Sequence, residues 1–225
     1  MNKQVFILDA EPQPLEVDLK RMALMVIDMQ NAFVSKGGMF DLRGMDISMT
    51  PKIVSVINKV MSAARSRQIK VMFVVHHHSP DMRETGGLNS GYGYKLRLDG
   101  QKHPEWKDKR VVRGTWGAEL VKGLEFKEDD ILVVKPRYSA FFGTNLDTIL
   151  KTFNIKYLLF TGVATNMCVE ATIRDASNLD YFPILVSDAT SPNGPPYLKD
   201  ATIHNVTRCF GWVTTSKNIL KIMKQ

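Results

Sequence analysis

Six short apolar runs, each followed by a longer and more polar stretch, restrict the fold of this chain more than any other feature. The runs are five to seven residues long and nearly continuous in apolar character. Such runs are typical of parallel strands that are buried on both faces. We assign strands to residues 22–28, 71–76, 131–135, 157–162, 183–188 and 211–216.

The stretches between these runs carry helical patterns. Residues 50–68 begin with Thr50 and Pro51, a pair that suits the start of a helix. Four further helices are predicted at 144–154, 166–180, 197–210 and 217–225. Because strands and helices alternate, the sequence predicts an α/β fold with three αβα layers. The central sheet is expected to be Rossmann-like, six-stranded and mostly parallel.

Length and composition bound the organisation of the chain. With 225 residues and 44% hydrophobic content, residues 1–225 are expected to form a single domain. Residues 1–20 lack the apolar core of a signal peptide and are interpreted as a polar N-terminal arm. No run approaches the roughly 18 apolar residues of a membrane span, so no membrane partner is expected. Two cysteines are too few for a disulfide framework, which favours a cytoplasmic location.

The net charge of +7 permits nucleic-acid binding but does not predict it. Lysine and arginine are scattered, without a basic helix or zinc-finger spacing, so we expect no nucleic-acid partner. The densest basic stretch, residues 94–114, also contains acidic residues. It is either a solvated loop or the mouth of a site that attracts small anions.

Residues 79–116 interrupt the alternation of strand and helix. This segment is rich in glycine and shows little periodicity, so we predict a long loop. Loops of this length inside a compact domain usually have a function, which suggests an active-site loop. Its aromatic residues either line or cover a site or form a small surface cluster of their own; they are Tyr92, Tyr94, Trp106 and Trp116.

Three reactive side chains fall at or just after the carboxyl ends of predicted strands. Asp28 ends the first run, Lys135 ends the third, and Cys168 follows the fourth after a short turn. The carboxyl ends of parallel strands share one edge, where ligands bind. Taken singly, each residue has an ordinary explanation: a turn residue, a solvated strand end, and a small buried hydrophobic side chain.

Together, the three residues supply the groups that a cysteine nucleophile needs. A thiolate is the nucleophile, and a helix start and Lys135 are expected to stabilise that anion. Asp28 is expected to accept the thiol proton. Backbone N–H groups in the turn at 164–168 can hold the oxyanion of a tetrahedral intermediate. The set predicts a hydrolase with Cys168 as nucleophile.

The chain also resembles a known family in three stretches: "VIDMQNAF" (26–33), "VVKPRYSAFFGTNLDTIL" (133–150) and "FTGVATNMCVEATIRDA" (160–176). They look like the isochorismatase-like cysteine hydrolases, and the resemblance extends from about residue 22 to about residue 216. It implies a triad of Asp28, Lys135 and Cys168 that acts without a cofactor. It also implies a cis peptide between Val163 and Ala164, with the N–H groups of Ala164 and Cys168 as the oxyanion hole.

Within that family the chain most resembles the ureidoacrylate amidohydrolases of pyrimidine breakdown. The more specific stretches are "GGMFDLRGMDIS" (37–48), "LDYF" (179–182) and "FGWV" (210–213). The resemblance implies hydrolysis of a carbamoyl or amide C–N bond in a small ureido compound. Biuret, other N-carbamoyl amides and nicotinamide are alternative substrates. A catalytically silent binding subunit of the same fold is the non-enzyme alternative.

Five residues are predicted to contact a substrate. His76 ends the second predicted strand and His78 follows it, and alternation places both on one face. They are either polar residues that contact a substrate or ordinary histidines at a strand end. The ureidoacrylate subgroup has Asn and Trp in this region, so the histidines leave the identity of the substrate open. Tyr138 matches a tyrosine of the subgroup, Phe33 follows Asp28 closely, and Val163 precedes the implied cis bond.

No metal and no cofactor are expected. Two imidazoles on one face fall short of the three protein ligands that zinc usually takes. Metal-bearing nicotinamidase relatives resemble an Asp-x-His pattern after the first strand, where this chain reads "GGMFDLRG". Neither a dinucleotide fingerprint nor a P-loop is present. Cys209 is predicted to pack in the core, and the apolar helical faces predict a homo-oligomer, a dimer or a tetramer.

Overall fold

The computed structural model describes residues 5–224. Its strands are β1 (Val5–Leu8), β2 (Leu15–Asp18), β3 (Met22–Ile27), β4 (Lys70–His76), β5 (Ile131–Lys135), β6 (Tyr157–Val163), β7 (Phe182–Ser191) and β8 (Trp212–Thr214). Strands β3 to β8 form one six-stranded sheet in the order β5-β4-β3-β6-β7-β8, and every pair in it is parallel. The predicted strands and the α/β class are thereby confirmed.

Eight α-helices accompany the strands in the described part of the chain. They are α1 (Asn31–Val34), α2 (Met39–Leu42), α3 (Thr50–Ser66), α4 (Gly91–Lys102), α5 (Leu146–Thr152), α6 (Glu170–Asn178), α7 (Tyr197–Asn205) and α8 (Ser216–Met223). Two five-residue π-helical turns, Thr165–Val169 and Val206–Phe210, adjoin α6 and α7. In none of the described helices is there enough length and apolar character to cross a membrane.

The sheet separates two hydrophobic clusters, which gives the three layers. Along β3, Leu24 and Val26 belong to the cluster that contains the apolar faces of α3 and α8. Ala23, Met25 and Ile27 belong to the cluster that contains α5 and α6. Successive side chains of a strand point to opposite faces, and all of β3 is buried. A continuous apolar run is therefore what this central position requires.

The order of the strands creates a switch point beside β3. From β3 the chain moves outward through β4 to β5 and then returns to place β6 on the other side of β3. Ligands of open α/β sheets bind in the crevice at such a point, outside the carboxyl ends of the strands. The crevice between the ends of β3 and β6 is the position that topology favours for a site.

The start of the chain differs from the predicted polar arm. Strands β1 and β2 form an antiparallel hairpin, with Leu8 paired to Leu15. Leu8 and Val17 are fully buried in the cluster that contains α3 and α8. The interpretation of residues 1–20 as an arm is wrong for the described residues 5–20. The two short alternating runs were hidden by the polar, proline-containing stretch between them.

Residues 79–116 also differ from the prediction of a long loop. The twelve-residue helix α4 lies inside this segment, with several 3-10 turns around it. The Ser90 hydroxyl accepts a hydrogen bond from the Gly93 N–H at 2.9 Å and caps the start of α4. Glycines and a weak apolar stripe concealed the helix, because this helix is positioned by its cap and its polar contacts.

Candidate active site

Asp28, Lys135 and Cys168 meet at the switch point. Asp28 follows β3, Lys135 is the last residue of β5, and Cys168 lies in the π turn after β6. The Lys135 Nζ lies 2.8 Å from Asp28 Oδ2 and 3.3 Å from Cys168 Sγ. The three residues are 1%, 0% and 5% exposed, respectively. The structure thus brings together side chains that are more than 30 residues apart in the sequence.

A close approach of two strands fixes the backbone beside Asp28. Gly162, near the end of β6, has a φ of +100°, and a Cβ at this position would lie 2.0 Å from the Ile27 carbonyl oxygen. Only glycine can occupy this position without displacing the backbone of β3. The next peptide, between Val163 and Ala164, is cis. The turn that carries Cys168 is therefore held directly against the end of β3.

Burial and mutual contact set the charges of the three groups. Burial raises the pKa of Asp28, with the Lys135 charge opposing this shift in part. Burial opposes the charge of Lys135, but the Asp28 carboxylate and the Cys168 sulfur outweigh it and raise the pKa of the ammonium. Lys135 is therefore a cation that holds a buried carboxylate of raised basicity.

Burial works against a thiolate at Cys168, whereas a helix start and Lys135 were expected to stabilise one. Burial raises the pKa of Cys168, and the Asp28 charge adds to this effect. Helix α6 begins only at Glu170, so Cys168 precedes the first turn of that helix. The Lys135 charge favours the thiolate, but burial is the larger effect. The thiol can become a nucleophile when Asp28 takes its proton.

The rings of His76, Tyr92 and His78 are joined by hydrogen bonds and form a wall next to Lys135. Nδ1 of His76 lies 3.4 Å from Lys135 Nζ, and Nε2 of His76 lies 2.8 Å from the Tyr92 hydroxyl. The same hydroxyl lies 3.0 Å from Nε2 of His78, and Nδ1 of His78 lies 3.3 Å from Glu84 Oε1. The chain of contacts runs from the buried Lys135 to the partly exposed Glu84.

The two histidines of this wall are neutral. Burial, followed by the charge of Lys135, lowers the pKa of His76 well below its usual value. Burial also lowers the pKa of His78, although Glu84 opposes the shift. The two rings therefore line the cavity as uncharged groups whose nitrogens contact Lys135, Tyr92 and Glu84.

Asp28, His76 and Cys168 also form a set of side chains that could hold a metal ion. Ligand atoms of Asp28, His76 and Cys168 lie within 4.8 Å of one another. The Lys135 ammonium, however, contacts all three groups, at 2.8, 3.4 and 3.3 Å. The Lys135 ammonium thus already places a positive charge beside these three side chains. The residues therefore fit a buried cation of the protein itself better than an added metal ion.

A cavity of about 90 Å³ opens beside the sulfur. One water molecule needs about 10–15 Å³ of such space, so the cavity accommodates a small organic molecule. All the residues predicted to contact substrate line it, together with two of the triad and Ala164; they are Asp28, Phe33, His76, His78, Tyr138, Val163, Ala164 and Cys168. Lys135 lies behind this wall and completes it through its contacts with Asp28 and Cys168.

Sequence reasoning missed several residues of the cavity. Arg43 follows α2 and Arg110 follows the turn after α4. Arg110 lies in the basic stretch 94–114, for which the mouth of a site that attracts small anions was one of two expectations, but neither arginine was singled out. Met39, Phe40, Met82, Leu96, Val111 and Met167 complete the apolar lining. Tyr92 was expected only as one of four aromatic residues of a loop. Its position on the first turn of α4 is what directs it to the histidines.

Other predicted features lie elsewhere. Trp106 stacks on His103 with ring centroids 3.8 Å apart, and Trp116 lies under the Lys109 ammonium. Tyr94 is exposed, so of the four aromatic residues only Tyr92 lines the cavity. Cys209 is exposed, and the prediction of core packing is wrong. Val206 occupies the buried position of that π turn and leaves Cys209 on the solvent side.

Comparison with known proteins assigns this architecture to a class. The isochorismatase domain model matches residues 22–218. A cysteine hydrolase from Pseudomonas syringae pv. phaseolicola superposes with a TM-score of 0.75 at 26% identity, covering 92% of this chain and 94% of that one. The N-carbamoylsarcosine amidase of Thermoplasma acidophilum superposes with a TM-score of 0.67 at 27% identity, covering 87% and 96%. The class is the isochorismatase-like α/β hydrolases.

Sequence similarity narrows the relationship. The ureidoacrylate amidohydrolase RutB of Yersinia enterocolitica is 41% identical over 210 residues, which cover 92% of this chain and 91% of that protein. Together with the domain match over residues 22–218, this places the chain in the isochorismatase family.

Proposed function

We propose that this protein is a cysteine amidohydrolase that cleaves a carbamoyl or amide C–N bond of a small ureido compound such as ureidoacrylate. The observation that carries the proposal is the contact of Cys168 Sγ with Lys135 Nζ, which also binds Asp28, at the wall of a cavity. Similarity to ureidoacrylate amidohydrolases over most of the chain supports the choice of substrate.

The first half of the reaction forms a covalent intermediate. Asp28 takes the thiol proton of Cys168, a role that suits a carboxylate whose pKa is raised by burial. The sulfur attacks the carbonyl carbon while the Lys135 ammonium stabilises the developing thiolate. The N–H groups of Ala164 and Cys168 hold the oxyanion. The C–N bond then breaks, and the proton on Asp28 passes to the departing nitrogen.

The second half of the reaction hydrolyses the covalent intermediate and regenerates the free enzyme. Water attacks the carbamoyl thioester at Cys168 and gives its proton to Asp28, which returns it to the sulfur as the C–S bond breaks. For ureidoacrylate, the products are aminoacrylate and a carbamate, which decays to ammonia and CO₂. The protein's own residues supply every proton transfer, so we propose no cofactor.

The cavity walls are proposed to hold the substrate. Phe33 and Val163 offer apolar surfaces for a planar ureido group, and Tyr138 offers a hydroxyl. Neutral His76 and His78, held in place by Tyr92, offer their ring surfaces to the substrate. A pre-organised polar wall of this kind favours one orientation of the substrate carbonyl toward Cys168.

The experiment measures ammonia release from ureidoacrylate, biuret, an N-carbamoyl amino acid and nicotinamide. We expect ureidoacrylate to give the highest kcat/KM and Cys168→Ala to abolish release while the thermal unfolding of the protein stays cooperative. N-carbamoyl compounds are the second candidates, because the chain is similar to an N-carbamoylsarcosine amidase. Turnover of none of the four compounds would favour a binding subunit, and full activity of Cys168→Ala would remove the mechanism.

The assembly and location of the protein are further parts of the proposal. We propose a homo-oligomer, a dimer or a tetramer, supported by apolar side chains exposed on and near the edge strand β5: Leu132, Val134 and Phe142. Exposed apolar groups so close together commonly mark an interface. Both cysteines are free, which supports a reducing, cytoplasmic location. A small molecule is the proposed partner; nucleic acid and membrane are not.

A further inference from the structure

Two arginines of the cavity share one carboxylate. Arg43 Nη2 lies 2.6 Å from Asp99 Oδ1, and Arg110 Nη1 contacts Asp99 Oδ2. Arg110 also donates from Nη2 to the carbonyl oxygens of Asp99 and His103, at 3.0 and 3.3 Å. The Arg110 side chain is only 8% exposed, whereas that of Arg43 is 31% exposed. Arg110 is thus fixed within the protein, and Arg43 retains access to solvent.

The cavity consequently carries an excess positive charge. Asp28 and Lys135 neutralise each other, and His76 and His78 are neutral. The remaining charged groups of the lining are Arg43 and Arg110, which face the single carboxylate of Asp99. Two guanidinium charges against one carboxylate leave one uncompensated positive charge at the cavity, which suits a ligand with one negative charge.

The position of this charge relative to the sulfur follows from the fold. Arg43 is the residue at the end of α2, and Asp99 lies on α4, so two elements hold the guanidinium from both sides. Tyr138 lines the same cavity as Arg43 and Cys168. Burial raises its pKa, the Cys168 charge raises it further, and the Arg43 charge lowers it. A bound molecule that reaches from Cys168 past Tyr138 meets Arg43.

We propose that Arg43, held by Asp99 beside Arg110, binds the carboxylate of the substrate and makes the enzyme selective for ureido acids over uncharged amides. This inference rests on the proposed amidohydrolase function and adds a specificity-determining residue to it. A guanidinium binds a carboxylate through two parallel hydrogen bonds, which fix orientation as well as charge. With the carboxylate at Arg43, the ureido carbonyl lies at the other end of the cavity, beside Cys168.

The test compares ureidoacrylate with its uncharged carboxamide analogue. Arg43→Gln is expected to lower the acid-to-amide ratio of kcat/KM at least about fivefold, mainly through the KM of the acid, because it loses a charged hydrogen bond. Arg43→Lys keeps the positive charge but cannot form two parallel hydrogen bonds. Its acid-to-amide ratio of kcat/KM should therefore lie between those of the parent and Arg43→Gln. The matched control is Arg97→Gln, which removes an exposed arginine from α4 outside the cavity lining.

Two results would overturn the inference: a ratio in Arg43→Gln that falls less than fivefold, or an equal fall in Arg97→Gln. Failure of the proposed function gives a different result, since the parent would then hydrolyse neither compound. In that case, calorimetric binding of ureidoacrylate to the Cys168→Ala protein decides the role of Arg43. Binding that weakens at least about fivefold in the Cys168→Ala/Arg43→Gln protein sustains it, and absent or unaltered binding overturns it.

Discussion

The two cysteines occupy equivalent places in two π-helical turns and have opposite environments. Cys168 is the fourth residue of Thr165–Val169, and Cys209 is the fourth residue of Val206–Phe210. Cys168 is buried against Lys135 and beside Asp28, whereas Cys209 faces solvent. Local backbone geometry is therefore not what makes a cysteine a candidate nucleophile. The side chains that distant strands bring to the sulfur make the difference.

Replacing each cysteine separately is expected to give the largest difference between the two turns. Cys168→Ser is expected to lower kcat for ammonia release by at least about 10³-fold, because a serine hydroxyl is far less readily deprotonated than a thiol. Cys209→Ser is expected to stay within about twofold of the parent. Equal effects of the two substitutions would show that the surroundings of Cys168 do not set it apart.

The cation beside each cysteine gives the next largest difference. Lys135→Met leaves the Asp28 carboxylate buried without its partner and is expected to cost about 3–5 kcal/mol in the free energy of unfolding. The control is Arg208→Met, next to Cys209 on the exposed side, with an expected change within about 0.5 kcal/mol. Denaturant titration measures both values.

The double variant Asp28→Asn/Lys135→Met sharpens the same point. Removing both charges is expected to recover part of the stability lost in Lys135→Met, because no unpaired buried charge remains. If the double variant were less stable than Lys135→Met by the full cost of a second independent substitution, the two residues would not be coupled through charge.

The pH dependence of activity tests the basicity that burial gives Asp28. The ionised carboxylate is the base, so kcat/KM should fall about tenfold per pH unit below its pKa. Since the pKa of Asp28 is raised, the acid limb should have its midpoint above the usual aspartate value of about 3.9. A midpoint at or below that value would contradict the assignment. The control, Cys209→Ser, leaves Asp28 in place and should show the same acid limb in kcat/KM as the parent.

The smallest expected effect concerns the ring wall behind Lys135. Tyr92→Phe removes the hydroxyl that joins His76 to His78 and leaves the Nε2 atoms of both rings without that partner. Loss of this shared hydrogen bond should lower kcat/KM about fivefold to thirtyfold, on the scale of about 1–2 kcal/mol. Tyr94→Phe, two residues away and exposed, is the matched control and should leave kcat/KM unchanged.

Much of the architecture was predictable because it depends on local patterns. The six apolar runs identify the strands of the sheet, and continuous burial of β3 explains why its run has no polar interruption. The hairpin at the start and helix α4 were missed. Their patterns are short or weakly apolar, and tertiary contacts with α3, α8 and the arginine cluster hold them in place.

The residues of the candidate site also divide into those that the sequence identified and those that it did not. Asp28, Lys135 and Cys168 were visible in the sequence because each stands at a strand end and strand ends converge at one edge. Arg43, Arg110 and the role of Tyr92 were not singled out, since these residues belong to segments without a periodic pattern. Their place at the cavity depends on how α2 and α4 pack against the sheet.

By itself, then, the sequence determined the alternating elements, the sheet they form and the three reactive residues at its edge, because hydrophobic period and strand position are local properties. Only the tertiary structure decided that burial raises the pKa of Cys168, that Cys209 is exposed and that an unbalanced positive charge faces the cavity. Those outcomes depend on burial and on distances between residues remote in sequence, and such distances exist only in the folded chain.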